Sequence, residues 1–209
     1  MKLDLLNKQI NLRDLKKLKT AHKLAAAAFE LTLERGLDGF VVNDLVQRAG
    51  YSRRTFANYY SCKEEAVVAV VLNYENAPTV DELVAEMKEH ESPLDIFYHL
   101  MKMQFTTNLL KKLQQLVSLS KQYPTLEPYI LSVFQHFQEE AVKVVRILSD
   151  GRYPEAYHHQ LAGALYGAIL PSIDGSLQIT FSEELKTDNV INFEQYLEST
   201  FDYLRNGFI

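Results

Sequence analysis

Apolar residues recur every three or four positions along almost the whole chain, and strict alternation is scarce, so the pattern predicts helices throughout. The first runs from about Leu12 to Arg35. Leu15, Leu18, Ala21, Leu24, Ala25, Ala28, Leu31 and Thr32 share one stripe, and Gly36 is placed to end the helix as a left-handed cap. Two short patterns follow, about Asn43–Ala49 and Arg53–Tyr60, separated by Gly50. Ser61 and Glu64 then have the S-x-x-E spacing of a capping box, which predicts a new helix from about Lys63. Pro78 and Pro93 divide the next stretch. An apolar-rich segment runs from Pro93 to Tyr123, and Pro124 and Pro128 mark a sharp connection. Leu131–Leu148 reads as an amphipathic helix. Tyr153 to about Thr180 reads as another, which Pro171 should kink or split. After a polar loop near 183–189, a last helix carries Ile191, Tyr196, Leu197, Thr200, Phe201 and Leu204. The sum is an all-α protein of roughly nine or ten helices.

The segment Val42–Tyr60 meets the needs of a helix-turn-helix, namely a short supporting helix, a tight turn and a second helix presented to the major groove. Leu45 and Val46 give the first helix an inward face, Ala49 permits close crossing, and Gly50 permits the turn. Ser52 is a good N-cap for the second helix, with Arg53, Arg54 and Thr55 in its first turn. Phe56 and Tyr60, four apart, point back to the core. The polar residues left outside form a reading head. Arginine can grip a guanine edge, asparagine an adenine edge, and the threonine methyl can meet a thymine methyl, so Arg53, Arg54, Thr55 and Asn58 are the expected base readers. Tyr51, Ser52, Tyr59 and Lys63 are expected to hold phosphates and fix the register. Two arginines in a helix's first turn oppose the macrodipole unless an anion compensates, which is a physical reason for a phosphate-bearing partner.

Composition agrees with a soluble globular chain: 209 residues, 47% hydrophobic and 23% charged. Apolar runs stop short of the roughly 18–20 residues that cross a bilayer, and Met1–Ile10 lacks a signal-peptide stretch, so a cytoplasmic location is expected. The single cysteine, Cys62, excludes an intramolecular disulfide. Charge sharpens the picture. Residues 1–65 carry 12 Lys and Arg against 8 Asp and Glu, whereas the remainder carries 10 against 19, so a basic module precedes an acidic body.

Between Lys19 and about Val71 the chain resembles the tetracycline-repressor-like (TetR) family of bacterial regulators. The landmarks are Ala27-Ala28-Phe29-Glu30-Leu31, Glu34-Arg35-Gly36, Val42-x-Asp44-Leu45-Val46, Ala49-Gly50-Tyr51-Ser52, Thr55-Phe56-x-x-Tyr59-Tyr60 and Lys63-Glu64-Glu65. The resemblance implies a homodimer on a palindromic operator of double-stranded DNA, repression of nearby genes, and release by a small-molecule effector. It places the family's base and phosphate contacts on Arg53, Arg54, Thr55, Asn58, Tyr59 and Lys63. One departure stands out: where relatives carry Thr-Thr before the supporting helix, this chain has Phe40-Val41-Val42, with no hydroxyl to cap it. A helix-turn-helix domain over residues 1–65 and a helical effector-binding and dimerisation domain over 66–209 are expected.

In that second part the aromatic and methionine side chains of Phe97, Tyr98, Met101, Phe105, Tyr123, Phe134, Phe137 and Tyr166 either pack as core or line an apolar effector cavity. The resemblance places the effector among these central helices, and a hydrophobic or amphipathic molecule is expected. Gly163 and Gly167, with neighbouring alanines, allow close helix approach. Together with Phe193, Leu197, Phe201 and Leu204 they match the family's paired dimer helices, and a C2 dimer would set two recognition helices about 34–36 Å apart. No cofactor, metal site or catalytic residue is expected. His158 and His159 are adjacent and diverge on a helix, and no P-loop, dinucleotide fingerprint or G-x-S-x-G occurs. Cys62 could sense redox state through a lowered thiol pKa, but it has no resolving partner. The alternatives are an architectural or division-linked DNA binder of the same fold and, more remotely, a hydrophobic-ligand carrier.

Overall fold

The computed structural model describes residues 12–72, 91–180 and 191–207. The break expected at Pro78 and the polar loop near 183–189 lie outside the described residues. Nine α-helices occur among those described: α1 (Leu12–Arg35), α2 (Val42–Ala49), α3 (Arg53–Ala57), α4 (Lys63–Val68), α5 (Pro93–Gln104), α6 (Thr107–Gln122), α7 (Glu127–Leu148), α8 (Glu155–Asp174) and α9 (Phe193–Asn206). The protein is all-α. Among the described residues the one sheet is a parallel pair of two-residue strands, Ile179–Thr180 and Ile191–Asn192, which the helical periodicity did not signal.

The described residues divide into two compact units. One comprises 12–72 and 115–134, the other 91–114, 135–180 and 191–207. In the first unit α1 is the post on which α2, α4 and two 3-10 turns pack. Leu24, Ala25, Ala28 and Leu31 are almost fully buried, whereas Leu15 at the near end of the same stripe is 41% exposed. The helix does not end in a left-handed cap as its sequence suggests. Gly36 has φ 75° and ψ 162°, an extended conformation of positive φ open essentially to glycine alone. Its N–H donates to the Thr32 carbonyl at 2.9 Å, and the chain turns directly into the 3-10 helix Leu37–Gly39.

The second unit is built round Ile96, Phe97 and Met101 of α5, Leu165 and Ile169 of α8, and Phe201 of α9, each no more than 2% exposed. Ser92 caps α5, accepting from the Asp95 N–H at 3.2 Å, with Pro93 as the first helical residue. Pro171 neither splits nor ends α8. The helix continues to Asp174 and stops at Gly175, whose φ of 84° is left-handed. Tyr196 ties α9 to α8, donating from its hydroxyl to the Ala168 carbonyl at 2.5 Å.

His158, in the first turn of α8, is 1% exposed, and neither ring nitrogen has a hydrogen-bond partner. Burial disfavours the imidazolium and lowers the pKa, against a smaller opposing pull from Glu155. Because the folded-state pKa lies below the ordinary value of ~6.5, the unfolded chain binds the extra proton first, and stability falls as pH drops below that value. His158→Leu should therefore stabilise by about 1 kcal/mol at pH 8, by removing two unsatisfied nitrogens, and by more at pH 5.5. Thermal unfolding at the two pH values checks this, and an equal gain at both would refute the titration argument.

Candidate nucleic-acid interface

The supporting helix α2 is fixed at both ends by backbone chemistry. At its start Val41 offers no side-chain cap, as the missing hydroxyls implied. The Asp44 carboxylate instead reaches back and accepts from the Val41 N–H at 2.9 Å. This is half of a capping box, and it gives Asp44 a structural role that the missing N-cap hydroxyl does not signal. At its end Gly50 is left-handed (φ 76°, ψ 32°). Its N–H bonds the Gln47 carbonyl at 3.3 Å and the Tyr51 N–H bonds the Val46 carbonyl at 2.9 Å, a Schellman closure. Arg48 adds a two-pronged ion pair with Glu34 of α1, at 2.6 and 2.7 Å. The pair lowers the Glu34 pKa and raises that of Arg48.

The second helix, α3, is shorter than the expected Arg53–Tyr60 pattern and ends at Ala57. Asn58 and Tyr59 form a turn in which the Tyr59 and Tyr60 amides both bond the Phe56 carbonyl, at 2.9 and 3.0 Å. The turn wins because Tyr60 must swing inward. It is 9% exposed, its ring lies 5.9 Å from that of the buried Phe56, and its hydroxyl donates to the Ala21 carbonyl at 2.9 Å. That anchor raises the phenol pKa through burial and fixes the face α3 presents.

What α3 presents is basic and polar. Arg53, Arg54, Ala57 and Asn58 are exposed, and Thr55, Tyr51 and Tyr59 are half-buried beside them. Among the described residues neither arginine has an ion-pair partner, so two cations stand at a helix start without a counter-charge. Ser52 is the N-cap: its hydroxyl accepts from the Thr55 N–H at 3.0 Å and shares a hydrogen bond with the Thr55 hydroxyl at 2.9 Å. Lys63 is also engaged. Its ammonium donates to the Leu37 and Phe40 carbonyls at 2.6 and 3.2 Å and lies 5.2 Å from the centre of the Phe40 ring. Two of its three ammonium protons are thereby engaged, which leaves one for a phosphate. Between the starts of α2, α3 and α4 lies an open cleft of about 580 Å³, with Val41, Asn43, Arg53 and Lys63 in its walls.

The helix after this cleft starts at Lys63, as its sequence suggested, but on a different cap. Cys62, not Ser61, is the N-cap of α4; its sulfur accepts from the Glu65 N–H at 3.4 Å, and the thiol donates to the Tyr129 hydroxyl at 3.1 Å. The Glu65 carboxylate accepts from both the Ser61 N–H and hydroxyl at 2.6 Å. Glu64 plays no part. Both readings have three-residue spacing, and the preference for serine as a cap selected the wrong register.

Residues 24–70 match the family model for bacterial regulatory proteins of the tetR family. An uncharacterized HTH-type transcriptional regulator of Bacillus subtilis (strain 168), YvaF, is 31% identical over 206 residues, spanning 88% of this chain and 93% of that protein. The chain belongs to the TetR family. It is a transcriptional regulator, and the matched residues are those that build and orient the helix-turn-helix.

In this TetR-family chain the aromatic residues expected around an effector divide between the two units. Phe97, Met101, Phe105, Phe137 and Tyr166 are buried in the second, and Tyr98 is half-buried there with its ring edge-on to Phe201 at 5.0 Å. The single hydroxyl proton of Tyr166 is shared between the Phe137 carbonyl at 3.0 Å and the Gln104 side-chain oxygen at 3.2 Å, so the hydroxyl is engaged. Tyr123 and Phe134 belong to the first unit and are half-buried. Phe105 lines a cavity of about 250 Å³ between the α5–α6 turn and the start of α9. Of the residues expected at a dimer contact, Gly163 and Gly167 are exposed on α8. Phe193, Leu197 and Phe201 face the core of their own unit, and Leu204 is half-buried. Among the described residues no helix is long and apolar enough to cross a membrane, and no group of three or more His, Cys, Asp and Glu could hold a metal.

Proposed function

We propose that this regulator is a repressor that binds a palindromic operator as a homodimer in the cytoplasm and leaves it when a small, largely apolar effector binds. The observation that carries the reading is the outer face of α3: Arg53 and Arg54 are exposed on a five-residue helix that Phe56 and Tyr60 hold in place, Asn58 is exposed in the turn that follows, and among the described residues the arginines have no ion-pair partner. Such a face suits base edges in the major groove. Thr55 contributes its methyl, while Tyr51 and Tyr59 flank the head at the positions phosphates would take. Ser52 and Lys63 first serve the scaffold through the bonds described above, and meet phosphate at their periphery. For the dimer, the exposed stripe of α8 through Gly163, Gly167 and Leu170 is the contact of choice, with the inward apolar stripe of α9 backing it from behind.

The test is a mobility-shift and footprint titration on the DNA flanking the gene. One protected palindrome is expected, bound by two protomers, with affinity falling steeply as salt rises from 50 to 200 mM through release of condensed counterions. Equal affinity for unrelated DNA of the same length would overturn operator recognition and leave an architectural binder. Genome-wide occupancy would then show scattered sites instead of one or two promoters.

A further inference from the structure

The cavity beside Phe105 has an uneven chemistry. Its floor is apolar: Phe105, Leu110, Phe193 and Leu197 are each no more than 7% exposed. Its remaining wall is dominated by hydrogen-bond donors, and the hydrogen bonds already made show why. The Thr106 hydroxyl oxygen accepts from the Leu109 N–H at 3.3 Å as the cap of α6, which leaves its proton to donate elsewhere. The Asn192 side-chain oxygen Oδ1 accepts from the Glu194 N–H at 2.8 Å as the cap of α9, which leaves the side-chain NH₂ as a donor with no acceptor among the described residues. Lys102 supplies an ammonium with three protons, one of which faces Glu194 at 3.4 Å, a long contact between half-exposed side chains. Tyr98 and then Glu194 raise the lysine pKa, so the charge is retained at neutral pH. Against these donors the wall offers one strong acceptor, the Glu194 carboxylate.

We propose that this cavity binds a small monocarboxylate with an apolar body, its hydrocarbon on the Phe105–Leu197 floor and its carboxylate among Lys102, Thr106 and Asn192. A carboxylate has only acceptors, so it satisfies a donor-rich wall that an amine would leave unmatched. The volume of about 250 Å³ lies just below the ~300–1,000 Å³ span of pockets for drug-sized molecules, which fits a single ring or a short chain and excludes a fatty acid of full length. The site deepens the ligand-response reading above and rests on it only for the consequence of binding, since the wall chemistry stands whether or not DNA is released.

The experiment is calorimetric titration of the full chain, without DNA, with benzoate, phenylacetate and hexanoate, each against its amine and alcohol counterpart. At least one carboxylate is expected to bind ~10-fold or more tightly than its counterparts. Lys102→Met should remove that preference while leaving the alcohol unchanged. Thr107→Trp, at an exposed position on the mouth, should block all three classes without touching the core. Preference for the amines, no binding by any carboxylate, or binding untouched by both variants would overturn the site. Operator release is then measured separately with the carboxylate that binds. Binding without release leaves the site standing and overturns the ligand response.

Discussion

Arg53→Ala combined with Asn58→Ala is expected to lower operator affinity by roughly 10²–10⁴-fold, because each bidentate contact to a base edge carries about 1–3 kcal/mol of discrimination. The fold should be unaffected. Both side chains are exposed, neither closes a helix with its side chain, and α3 keeps its Ser52 cap and its Phe56–Tyr60 anchor. Two readouts separate the effects. Circular dichroism and the unfolding midpoint should match those of the parent chain, while the titration shifts. Residual binding to unrelated DNA should persist at low salt, since Arg54, Tyr51 and Tyr59 remain. If specific binding survived intact in the folded double variant, α3 would not be the reading helix. If both specific and unspecific binding vanished equally, the two residues would be phosphate contacts instead of base readers.

How much of this was legible in the sequence depends on which physical signal a residue carried. The helical class followed from periodicity alone, because burying one face of a helix forces the apolar spacing seen in α1 and α9. The turn at Gly50 and the cap at Ser52 were equally plain, since each needs a residue type with few substitutes. Local competition between similar signals was not legible. Ser61–Glu64 and Cys62–Glu65 share one three-residue spacing, and nothing in the local pattern chooses between them. The length of α3 was misread because Tyr60 obeys helical spacing from Phe56 while its hydroxyl is drawn away to Ala21, which costs the helix its last turn. Long-range partnerships were invisible. Nothing in the pattern says that 115–134 joins the unit formed by the first helices, or that Lys63 closes on two carbonyls 23 and 26 positions before it. The aromatic residues of the second unit show the same limit: spacing identified them as apolar, but core and cavity wall draw on identical side chains.

Gly36→Ala should destabilise the first unit by roughly 2–4 kcal/mol, and the reason combines one of these long-range contacts with a local one. Locally, a backbone at φ 75° and ψ 162° is accessible essentially to glycine, and forcing a Cβ onto it costs about 1–3 kcal/mol. At long range, that Cβ would stand 2.5 Å from the Tyr123 hydroxyl oxygen, so the half-buried phenol must move, with an overpacking cost of about 1 kcal/mol. The two contributions can be told apart. Tyr123→Phe removes the atom that would clash and leaves the backbone demand untouched, so the double variant should recover less than half of the lost stability. For a chain of 209 residues the single variant should lower the unfolding midpoint by roughly 4–16 °C. Full recovery in the double variant would place the whole cost in the Tyr123 contact and remove the backbone argument. No recovery would show that the phenol swings aside freely. Because Gly36 joins α1 to the 3-10 turn whose Leu37 carbonyl receives Lys63, loss at this position should also loosen the start of α4, and with it the wall of the cleft beside Arg53. DNA affinity of the folded fraction should then fall modestly, by less than the double substitution on α3 produces.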